Sequence, residues 1–421
     1  MIKSSAVAVS IVVPTYNRAA LLRRQLMCLV DQQAGSPNFQ VVVADDGSSD
    51  GTGELVKTFS DRLDIAYHFH EDDGFRAALT RNAGARLASG EVLVFLDAGA
   101  LVGPGFVQAH ATVHAELAAP AVVLGYTYGF RPWDPFVELE GILARSSPAE
   151  VVERYGDHPQ FQDMRLPLFE SVEFDLRELF TPWTQYWTVN MSVRREDFWR
   201  VGGFDESYVG WGGEDVELGF RLHRAGFTPI VSSDAWAIES PHFRDQQAND
   251  VSNRRNAWRL WRSHPEPVSE MYSSALSQGR WNPSLEVEYR RLVAGDKSTA
   301  DDAVDALLSH YIRGCKAAQL SAPRTLALGV TGRSAALRAR VGAVTDEWLL
   351  AGYDEEARRV ADGVRNLYAI GIRTPLDVGS VDLVIASPRL AHLWPRWGDD
   401  IAAESRRLGA VLVTPEGTVL Q

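Results

Sequence analysis

The residues best suited to carry out chemistry lie around position 214. The adjacent acids Glu214 and Asp215 follow a Trp-Gly-Gly turn at 211–213, and the pattern after them predicts a helix. The unpaired N–H groups of a first helical turn stabilise a carboxylate, so an acid here can stay ionised near neutral pH and act as a general base. The glycines leave room for a ligand against the Trp211 ring, a flat apolar face of the kind on which sugar rings stack. The alternative is a capped surface helix whose acids are solvated.

Two polar loops follow short apolar strands near the N-terminus. The run 7–13 is predicted to be a buried strand that ends at Pro14, and the run 39–44 a second strand that ends at Asp45 and Asp46. Helical patterns follow both loops. Alternating strands and helices indicate an α/β fold with a parallel sheet, whose ligands bind at the carboxyl ends of the strands. Taken alone, the two acids are as well explained by a helix cap and a turn.

Two further strands, predicted at 65–69 and 91–96, extend this sheet. Arg81 lies in the helix between them, and Asp97 follows the second strand. An arginine beside a strand-end carboxylate can bind a diphosphate, because its guanidinium offers several donors in a fixed fork and keeps its charge. Arg76 is a second candidate for this role. Without further context, a surface salt bridge explains the same pair.

Three motifs around Asp215 carry a specific resemblance. The chain reads Gly-Phe-Asp-Glu at 203–206, Gly-Trp-Gly-Gly-Glu-Asp at 210–215 and Arg-Leu at 221–222. This order resembles the acceptor-side motif of the β-1,4-galactosyltransferases and of the galactosyltransferase-like domains of polysaccharide polymerases. The resemblance implies an inverting, nucleotide-sugar-dependent enzyme in which Asp215 is the catalytic base and Glu214 positions the acceptor or the donor sugar.

The N-terminal loops resemble the donor-binding segments of family 2 glycosyltransferases, through Pro-Thr-Tyr-Asn-Arg at 14–18, Asp-Asp-Gly-Ser at 45–48 and Arg-Asn-x-Gly at 81–84. The resemblance spans roughly residues 8–250. It implies the GT-A fold, a Rossmann-like, mostly parallel sheet flanked by helices, with a uridine pocket in which either acid at 45–46 contacts the base. The donor-binding residues that it implies are Pro14, Thr15, Tyr16, Asn17, Arg18, Asp45, Asp46, Arg76, Arg81, Asp97, Ala98, Gly99, Trp211, Gly212 and Gly213.

The resemblance also implies a divalent metal, Mg²⁺ or Mn²⁺, although one ligand position differs. Family 2 enzymes usually carry Asp-x-Asp, and the second acid holds the ion against the diphosphate; here the segment is Asp97, Ala98, Gly99. Such a hard cation requires oxygen ligands. In the galactosyltransferase-like group a histidine shortly after the Glu-Asp helix binds the metal, which makes His242 a candidate ligand beside Asp97. A hydrogen-bonded surface histidine is the alternative, and Gly99 leaves metal independence open.

These motifs predict transfer of a hexose, glucose or galactose, from a UDP-sugar to a hydroxyl group of a soluble small-molecule acceptor. The overall pattern of the chain resembles that of the aminocyclitol-antibiotic glucosyltransferases. This resemblance does not rest on any residue identified as contacting the acceptor. One alternative is a polysaccharide or glycolipid glycosyltransferase, which activity on lipid-linked acceptors would distinguish. A second is a catalytically inactive sugar-nucleotide-binding scaffold. The Glu214–Asp215 pair argues against it, because binding alone requires no base.

Composition disfavours several other classes of protein. The 421 residues include 42 Lys and Arg against 55 Asp and Glu, a net charge of −13, which argues against nucleic acid or an anionic membrane as a partner. The two cysteines, Cys28 and Cys315, lie far apart and predict neither a disulfide framework nor a cysteine metal site. No apolar run approaches the roughly 20 residues of a membrane helix, and no signal peptide is recognisable. A cytoplasmic protein is expected.

Length and a change in composition predict two domains. The first, 1–265, carries every motif above; a helical linker is expected at 266–295 and a smaller accessory α/β domain at 296–421. Strands of that second domain are predicted at 325–328, 381–385 and 410–413. Their order faintly resembles the S-adenosylmethionine methyltransferase fold. The glycine-rich loop of that fold is reduced to Gly329 and Gly332, which favours a degenerate or noncatalytic domain.

A long polar and aromatic insertion is expected from about 131 to 180. Such loops often cover a ligand or shape its pocket. Five aromatic residues in or near this insertion could stack on a sugar or belong to the core, namely Phe130, Trp133, Trp183, Tyr186 and Trp187.

Overall fold

The computed structural model describes residues 8–131, 134–279, 284–294, 300–330, 348–361 and 366–420. The chain divides into two compact units, Met1–Asn256 and Ala257–Gln421. The helices Pro267–Ser277 and Ser284–Ala294, which occupy the predicted linker, belong to the second unit. The domain boundaries at 265 and 295 stay predictions. Within the described ranges, no helix combines the length and the apolar character needed to cross a membrane.

The first unit alternates strands and helices through its N-terminal half, as the sequence predicts. Its strands are β1 (Val9–Thr15), β2 (Phe39–Asp45), β3 (Ile65–Phe69), β4 (Val92–Leu96), β5 (Ala100–Val102), β6 (Ala121–Tyr128), β7 (Asn190–Arg194) and β8 (Thr228–Glu239). Its helices are α1 (Ala19–Val30), α2 (Thr52–Lys57), α3 (Ala77–Leu87), α4 (Phe106–Glu116), α5 (Leu139–Leu143), α6 (Pro148–Tyr155), α7 (Leu166–Ser171), α8 (Arg195–Arg200) and α9 (Glu214–Arg224), and α10 (Gln246–Ser263) begins in this unit. Val7, where the first strand was expected to begin, lies outside the described residues.

These strands form one sheet in the order β3-β2-β1-β4-β7-β6-β8-β5. The four strands β1 to β4 are parallel, and β7 runs antiparallel to β4. The strands β6 and β8 are parallel to each other, and β6 is antiparallel to β7. The carboxyl ends of β1, β2, β3, β4 and β8 therefore meet at one edge of the sheet. The expected mostly parallel α/β sheet is confirmed, and its carboxyl edge collects the polar residues that follow these strands.

Apolar helix faces bury the sheet. Leu22, Leu26 and Leu29 of α1 recur every three or four residues, so they share one face of the helix, and all three are fully buried. They belong to one core cluster with Val9 and Ile11 of β1. Burial of one such side chain stabilises a fold by about 1.5–3 kcal/mol. This packing fixes α1, and with it the polar loop that precedes α1, against the sheet.

The insertion expected between 131 and 180 folds into the short helices α5, α6 and α7. Leu139, Val151 and Phe161 from this segment form a buried cluster with Leu101 and Ile238 of the sheet. The apolar residues of the insertion therefore build a small core of their own on the side of β5 and β8.

The second unit contains a separate sheet. Its strands are β9 (Thr325–Leu328), β10 (Trp348–Gly352), β11 (Asn366–Tyr368), β12 (Leu383–Ala386), β13 (Val411–Val413) and β14 (Val419–Leu420), in the order β11-β10-β9-β12-β13-β14. Its helices are α11 (Pro267–Ser277), α12 (Ser284–Ala294), α13 (Ala300–Ala318), α14 (Glu355–Val360) and α15 (Trp394–Arg407). The first five strands pair in parallel and β14 pairs antiparallel. The three predicted strands are confirmed as β9, β12 and β13, whereas Gly332 lies outside the described residues.

Candidate active site

The ends of β1 and β2 bring together two loops that the sequence assigns to uridine. Asp45 is fully buried; its Oδ1 accepts a hydrogen bond from the Ser48 N–H at 2.8 Å, and its Oδ2 accepts one from the Tyr67 hydroxyl at 2.7 Å. Thr15 is also buried, and its Oγ1 has no hydrogen-bond partner among the described residues. A buried hydroxyl without a partner is costly. Thr15 is therefore suited to contact a polar group of a bound ligand.

Asp46 is held from the neighbouring strand β3. Its Oδ1 lies 2.5 Å from Nε2 of His70, which follows β3, and its Oδ2 accepts a hydrogen bond from the Arg76 N–H at 2.9 Å. The Arg76 guanidinium lies 3.6 Å from Oδ1 of Asp46 and 3.3 Å from Asp73. Arg76 thus pairs with two acids, one that follows β2 and one that follows β3. The sequence interpretation missed His70, although it follows β3 as Asp97 follows β4.

The loop after β1 lies over the same edge. The side chain of Tyr16 is 43% exposed, and its hydroxyl donates a hydrogen bond to Oδ2 of Asp72 at 2.8 Å. This bond raises the pKa of Tyr16. Asn17, at φ 49°, accepts a hydrogen bond from a backbone N–H of the loop after β2 at 2.8 Å. Pro14 and Arg18 are half-buried, so the exposed ring in this loop is that of Tyr16.

Arg81 joins the carboxyl edge of the sheet to the helix that carries the acid pair. Its side chain is buried; Nη1 donates to Oε1 of Glu214 at 2.8 Å, and Nη2 donates to Oδ1 of Asp97 at 2.8 Å. Burial acts in the opposite direction, but the charges of Asp97 and Glu214 raise the pKa of Arg81. The guanidinium thus sets the spacing between these two carboxylates. Its contact with a diphosphate stays a prediction.

Asp215 lies in the first turn of α9, beside Glu214. Gly213 precedes the helix at φ 96°, a conformation that favours glycine. Asp215 is half-buried, and its Oδ1 accepts a hydrogen bond from the Val216 N–H at 2.8 Å. Burial, and after it the charge of Glu214, raise the pKa of Asp215 to about 7, although the positive charge of Arg81 opposes the shift. A carboxyl whose pKa lies near the working pH is well matched to accept a proton in a reaction.

The turn after β4 explains why the second acid of an Asp-x-Asp motif is absent. Gly99 has φ 97°, which residues with a side chain rarely adopt, and a Cβ there would lie 3.1 Å from Cβ of Leu21. Gln25 holds the turn, because its Nε2 donates to the Asp97 carbonyl at 2.8 Å and its Oε1 accepts from the Gly99 N–H at 3.3 Å. Ala98 is buried, whereas the Asp97 side chain is 33% exposed. Asp97 alone presents a carboxylate from this turn.

The end of β8 adds groups that the sequence interpretation did not single out. Glu239 is buried; its Oε1 accepts a hydrogen bond from Nη2 of Arg244 at 2.6 Å and lies 3.5 Å from Nδ1 of His242. Its Oε2 and the Oγ of Ser240 are buried without a hydrogen-bond partner in the described structure. Burial raises the pKa of Glu239 to about 7 and lowers the pKa of His242 to about 4. The signal that could have identified Glu239 is its position at a strand end, three residues before His242.

Arg18, Arg244, Asp97, Glu239 and His242 form one electrostatic cluster at this edge. Burial lowers the pKa of Arg18, while the charges of Glu239 and Asp97 act in the opposite direction. Glu239 and His242 also experience the charge of Asp97. Among the described residues, Arg18 forms no salt bridge with a carboxylate. The cluster therefore contains a guanidinium that is available to an anion.

The same cluster offers a mixed donor set to a divalent ion. Asp97 presents a partly exposed carboxylate, Glu239 an unpartnered Oε2, and His242 an imidazole whose Nδ1 lies 3.0 Å from the Ser240 carbonyl. The carboxylate oxygens suit Mg²⁺ or Mn²⁺, whereas an imidazole is a ligand that later transition-metal ions take more readily. In the part of the chain that the structure describes, no group of three or more His, Cys, Asp or Glu side chains could by itself hold a metal ion. An ion bound here would need diphosphate oxygens and water as further ligands.

The aromatic residues named from the sequence divide into two groups. Trp183 and Tyr186 are buried, and the Trp183 ring meets the Phe220 ring edge-on at 5.0 Å between centroids, so both belong to the core. Trp187 is also buried, and its ring lies 5.4 Å from the ring of the half-buried Phe130, measured between centroids. Trp133 lies outside the described residues. In the turn before α9, Trp211 and Gly212 are half-buried.

The α/β sheet with a polar carboxyl edge, next to an acid pair that opens α9, indicates a glycosyltransferase. Two family models match the first unit: "Glycosyl transferase family 2" matches residues 10–173, and "N-terminal domain of galactosyltransferase" matches residues 171–247. The first match contains the ends of β1 to β4, and the second contains α9 and the end of β8. The chain belongs to the family 2 glycosyltransferases of the GT-A fold, and it is similar to the validoxylamine A glucosyltransferases.

Relatives match over most of the chain. The validoxylamine A glucosyltransferase of Streptomyces hygroscopicus subsp. limoneus is 40% identical over 96% of this chain and 90% of its own length. The protein of the same name from Streptomyces hygroscopicus subsp. jinggangensis is 40% identical over 96% of both chains. The hyaluronan synthase of Pasteurella multocida is 34% identical over 56% of this chain and 25% of its own. Among solved structures, the mannosyltransferase PcManGT from Pyrobaculum calidifontis is 20% identical with a TM-score of 0.43, covering 67% of this chain and 70% of its own.

Proposed function

We propose that the chain is an inverting glycosyltransferase that moves a hexose from a UDP-sugar to a hydroxyl of a small-molecule acceptor. The observation that carries the proposal is the position of Asp215. This half-buried carboxyl, whose pKa is raised, opens α9 next to Glu214, and Arg81 connects Glu214 to Asp97 at the donor edge. A base and a donor site thus lie within one charged network.

The reaction follows from this arrangement. Asp215 accepts the proton of the acceptor hydroxyl as the hydroxyl oxygen bonds to the anomeric carbon. The bond from that carbon to the diphosphate oxygen breaks on the opposite face, and UDP leaves with the electron pair, so the configuration inverts. Glu214 is the acid proposed to position a sugar hydroxyl, because its Oε2 is buried without a partner in the described structure. No covalent enzyme intermediate is required.

Uridine is proposed to lie between the loops after β1 and β2. The exposed ring of Tyr16 offers a stacking surface, Thr15 an unpartnered hydroxyl, and the acids Asp45 and Asp46 line the floor. Pro14 and Asn17 shape the first loop.

The diphosphate is proposed to bind at the cluster formed by the ends of β4 and β8. Arg18 and Arg244 supply positive charge there, which stabilises the charge that develops on the leaving diphosphate. Arg81 already binds two carboxylates, so its effect on the donor is proposed to act mainly through them. Arg76 binds Asp46 and Asp73 and is proposed to shape the nucleoside side.

A divalent ion, Mg²⁺ or Mn²⁺, is proposed to be held by Asp97 and His242, with Glu239 beside them. When bound, the ion would offset the negative charge of the diphosphate. The protein residues would orient the diphosphate between this ion and Arg18.

The names of the relatives support a particular donor and acceptor. Two validoxylamine A glucosyltransferases match over nearly all of this chain, whereas the hyaluronan synthase matches 56% of it. We therefore propose glucose as the hexose and an aminocyclitol as the acceptor, in preference to a polysaccharide or glycolipid. The acid pair at 214–215 disfavours a scaffold without catalysis.

A transfer assay tests the proposal. The purified chain is incubated with validoxylamine A and UDP-glucose, UDP-galactose or GDP-glucose, each with and without Mn²⁺, and the product is measured by mass spectrometry and its anomeric configuration by NMR. UDP-glucose is expected to give an inverted glucoside. Asp215→Asn should abolish transfer while calorimetry shows unchanged UDP-glucose binding, and Asp234→Asn, an exposed acid of β8, is the matched control. A retained configuration, or full turnover by Asp215→Asn, would overturn the proposal.

A further inference from the structure

The loop 208–213 leads directly into α9 and has no regular secondary structure. Gly210, Gly212 and Gly213 within it have φ of 81°, 95° and 96°. Backbone of this kind cannot pair its carbonyls in a helix or a sheet ladder, so they need donors from elsewhere. The conformation of this loop decides where α9 begins, and therefore where its first two acids lie.

One face of α10 supplies those donors. Nδ2 of Asn256 donates to the carbonyls of Gly212 at 2.9 Å and of Val209 at 3.2 Å, and Oγ of Ser252 donates to the Trp211 carbonyl at 2.9 Å. Ser252 and Asn256 are four residues apart, so they lie one above the other on the helix. Two side chains of this face thus hold three carbonyls of the loop, and Nη2 of Arg255 also donates to the Val209 carbonyl at 2.5 Å.

The loop is also in close packing contact with this face. A Cβ at Gly210 would lie 2.7 Å from Cβ of Ser252, and a Cβ at Gly212 would lie 2.5 Å from Oδ1 of Asn253. On its other side, the loop is tied to the segment after β3, because the Gly210 N–H donates to the Phe75 carbonyl at 2.9 Å. The loop is therefore bracketed between α10 and the segment that also holds Asp46.

We propose that Asn256 is a positioning residue for the catalytic base, an inference that rests on the proposed function of Asp215. Asn256 is 1% exposed, and its Oδ1 is buried without a hydrogen-bond partner among the described residues. The amide therefore acts through its N–H donors alone. By fixing the carbonyls of Val209 and Gly212, it sets the start of α9 and the approach of Asp215 to the acceptor hydroxyl.

Asn256→Asp tests this role, because it keeps the size of the side chain and removes both N–H donors. Asn256→Ala and Ser252→Ala are the accompanying variants, and Ser252→Ala is the milder change if Asn256 variants fold poorly. Asn249→Ala is the matched control on the same helix, since Asn249 holds its place through backbone hydrogen bonds. A displacement of about 1 Å from productive geometry can cost on the order of 100-fold in rate. We expect kcat to fall at least about tenfold in the Asn256 variants.

Three further readouts separate positioning from loss of folded protein. Calorimetric titration with UDP-glucose should give a Kd within twofold of the parent protein and a stoichiometry that reports the folded fraction. The KM for the acceptor should rise. The midpoint of the pH profile of kcat/KM should move, whereas a variant that merely contains less folded protein keeps the parent midpoint.

The outcomes distinguish this inference from the function on which it rests. If the parent protein transfers glucose and the Asn256 and Ser252 variants match Asn249→Ala in kcat and in pH midpoint, the positioning role is wrong. If the parent protein transfers no sugar, the proposed function fails, and the inference fails with it.

Discussion

Arg81 donates a hydrogen bond of 2.8 Å to Glu214, which lies 133 positions further along the chain. Its second arm binds Asp97 at 2.8 Å, so one buried guanidinium connects the end of β4 to the start of α9. The positive charge of this guanidinium offsets the mutual repulsion of the buried Glu214 and the partly exposed Asp97. Removal of one partner from such a buried network costs about 3–5 kcal/mol.

Arg81→Met should therefore destabilise the first unit by about 3–5 kcal/mol and abolish most turnover, because Asp97 and Glu214 lose their shared cation. Urea denaturation and the transfer assay measure the two effects. Adding Glu214→Gln to Arg81→Met should restore part of the stability, as expected for residues in direct contact. Arg86→Met is the control, because Arg86 pairs with Glu206 at the surface and should change stability by less than about 1 kcal/mol. Equal stability of the two single variants would contradict the prediction.

The pH dependence of kcat/KM should report Asp215. The base acts as a carboxylate and its pKa in the free protein is raised to about 7, so the rate should rise as pH increases through that value and level off above it. Because the charge of Glu214 contributes to the raised pKa, Glu214→Gln should move the midpoint to lower pH. Steady-state rates over a pH series measure both curves. A rate that is constant from about pH 5.5 to 8 would exclude Asp215 as a base with this pKa.

Gly99→Asp should fail to rebuild the Asp-x-Asp metal motif. The backbone at position 99 has φ 97°, and its Cβ would meet Leu21, so the substitution should destabilise the fold by about 1–3 kcal/mol. Gly99→Ala separates the backbone cost from the effect of the added charge. Denaturation curves and Mn²⁺ titration by calorimetry provide the comparison. Tighter Mn²⁺ binding at unchanged stability would show that the turn accepts an acid.

Low pH should destabilise the first unit because two buried histidines, His110 and His114, resist protonation in the folded chain. His110 bonds Ser192 and Asn190, and His114 bonds the same Ser192 hydroxyl. Burial lowers the pKa of His110 to about 3 and that of His114 to about 4. The unfolded chain takes up these protons below about pH 6.5 while the folded chain does not, so protonation favours unfolding.

The stabilising contribution of these histidines is complete above about pH 6.5 and is lost as pH falls towards about 4 and then 3, by on the order of 1.4 kcal/mol for each unit of pKa difference. The free energy of unfolding measured from pH 7 to 4 should therefore fall, and fall less steeply in His114→Gln. Identical slopes for the two proteins would show that His114 ionises in the folded state as it does in the unfolded chain.

Local sequence patterns were sufficient to predict the parallel strands β1 to β4. The run at 39–44 became β2 with one added residue, because a strand of a parallel sheet is buried on both faces and is therefore a continuous apolar run. The strand β8 is continuous although its exposed centre interrupts its apolar pattern. The strand β5 was missed because it is only three residues long. Whether so short a run forms a strand depends on the strands with which it pairs, and these lie elsewhere in the chain.

The site residues also divide into those that a local motif predicts and those that depend on distant parts of the chain. Asp215 and Asp97 could be named because each belongs to a motif of neighbouring residues. The pairs His70–Asp46 and Arg81–Glu214 join residues that are 24 and 133 positions apart, so they exist only after the sheet has assembled. Glu239 was overlooked because nothing next to it in sequence shows that β8 ends at the same edge as β4.

The apolar cluster of Leu139, Val151 and Phe161 suggests a segment that could be exchanged between related proteins. This segment packs on Leu101 and Ile238, beside β5 and β8, and away from the strands that end in Thr15 and Asp45. Its contacts with the N-terminal part include Cys28 of α1 and the salt bridge between Arg24 of α1 and Glu140. An exchange of this segment for that of a relative, as a cassette, should therefore leave the strands that begin the chain in place if these two contacts are kept.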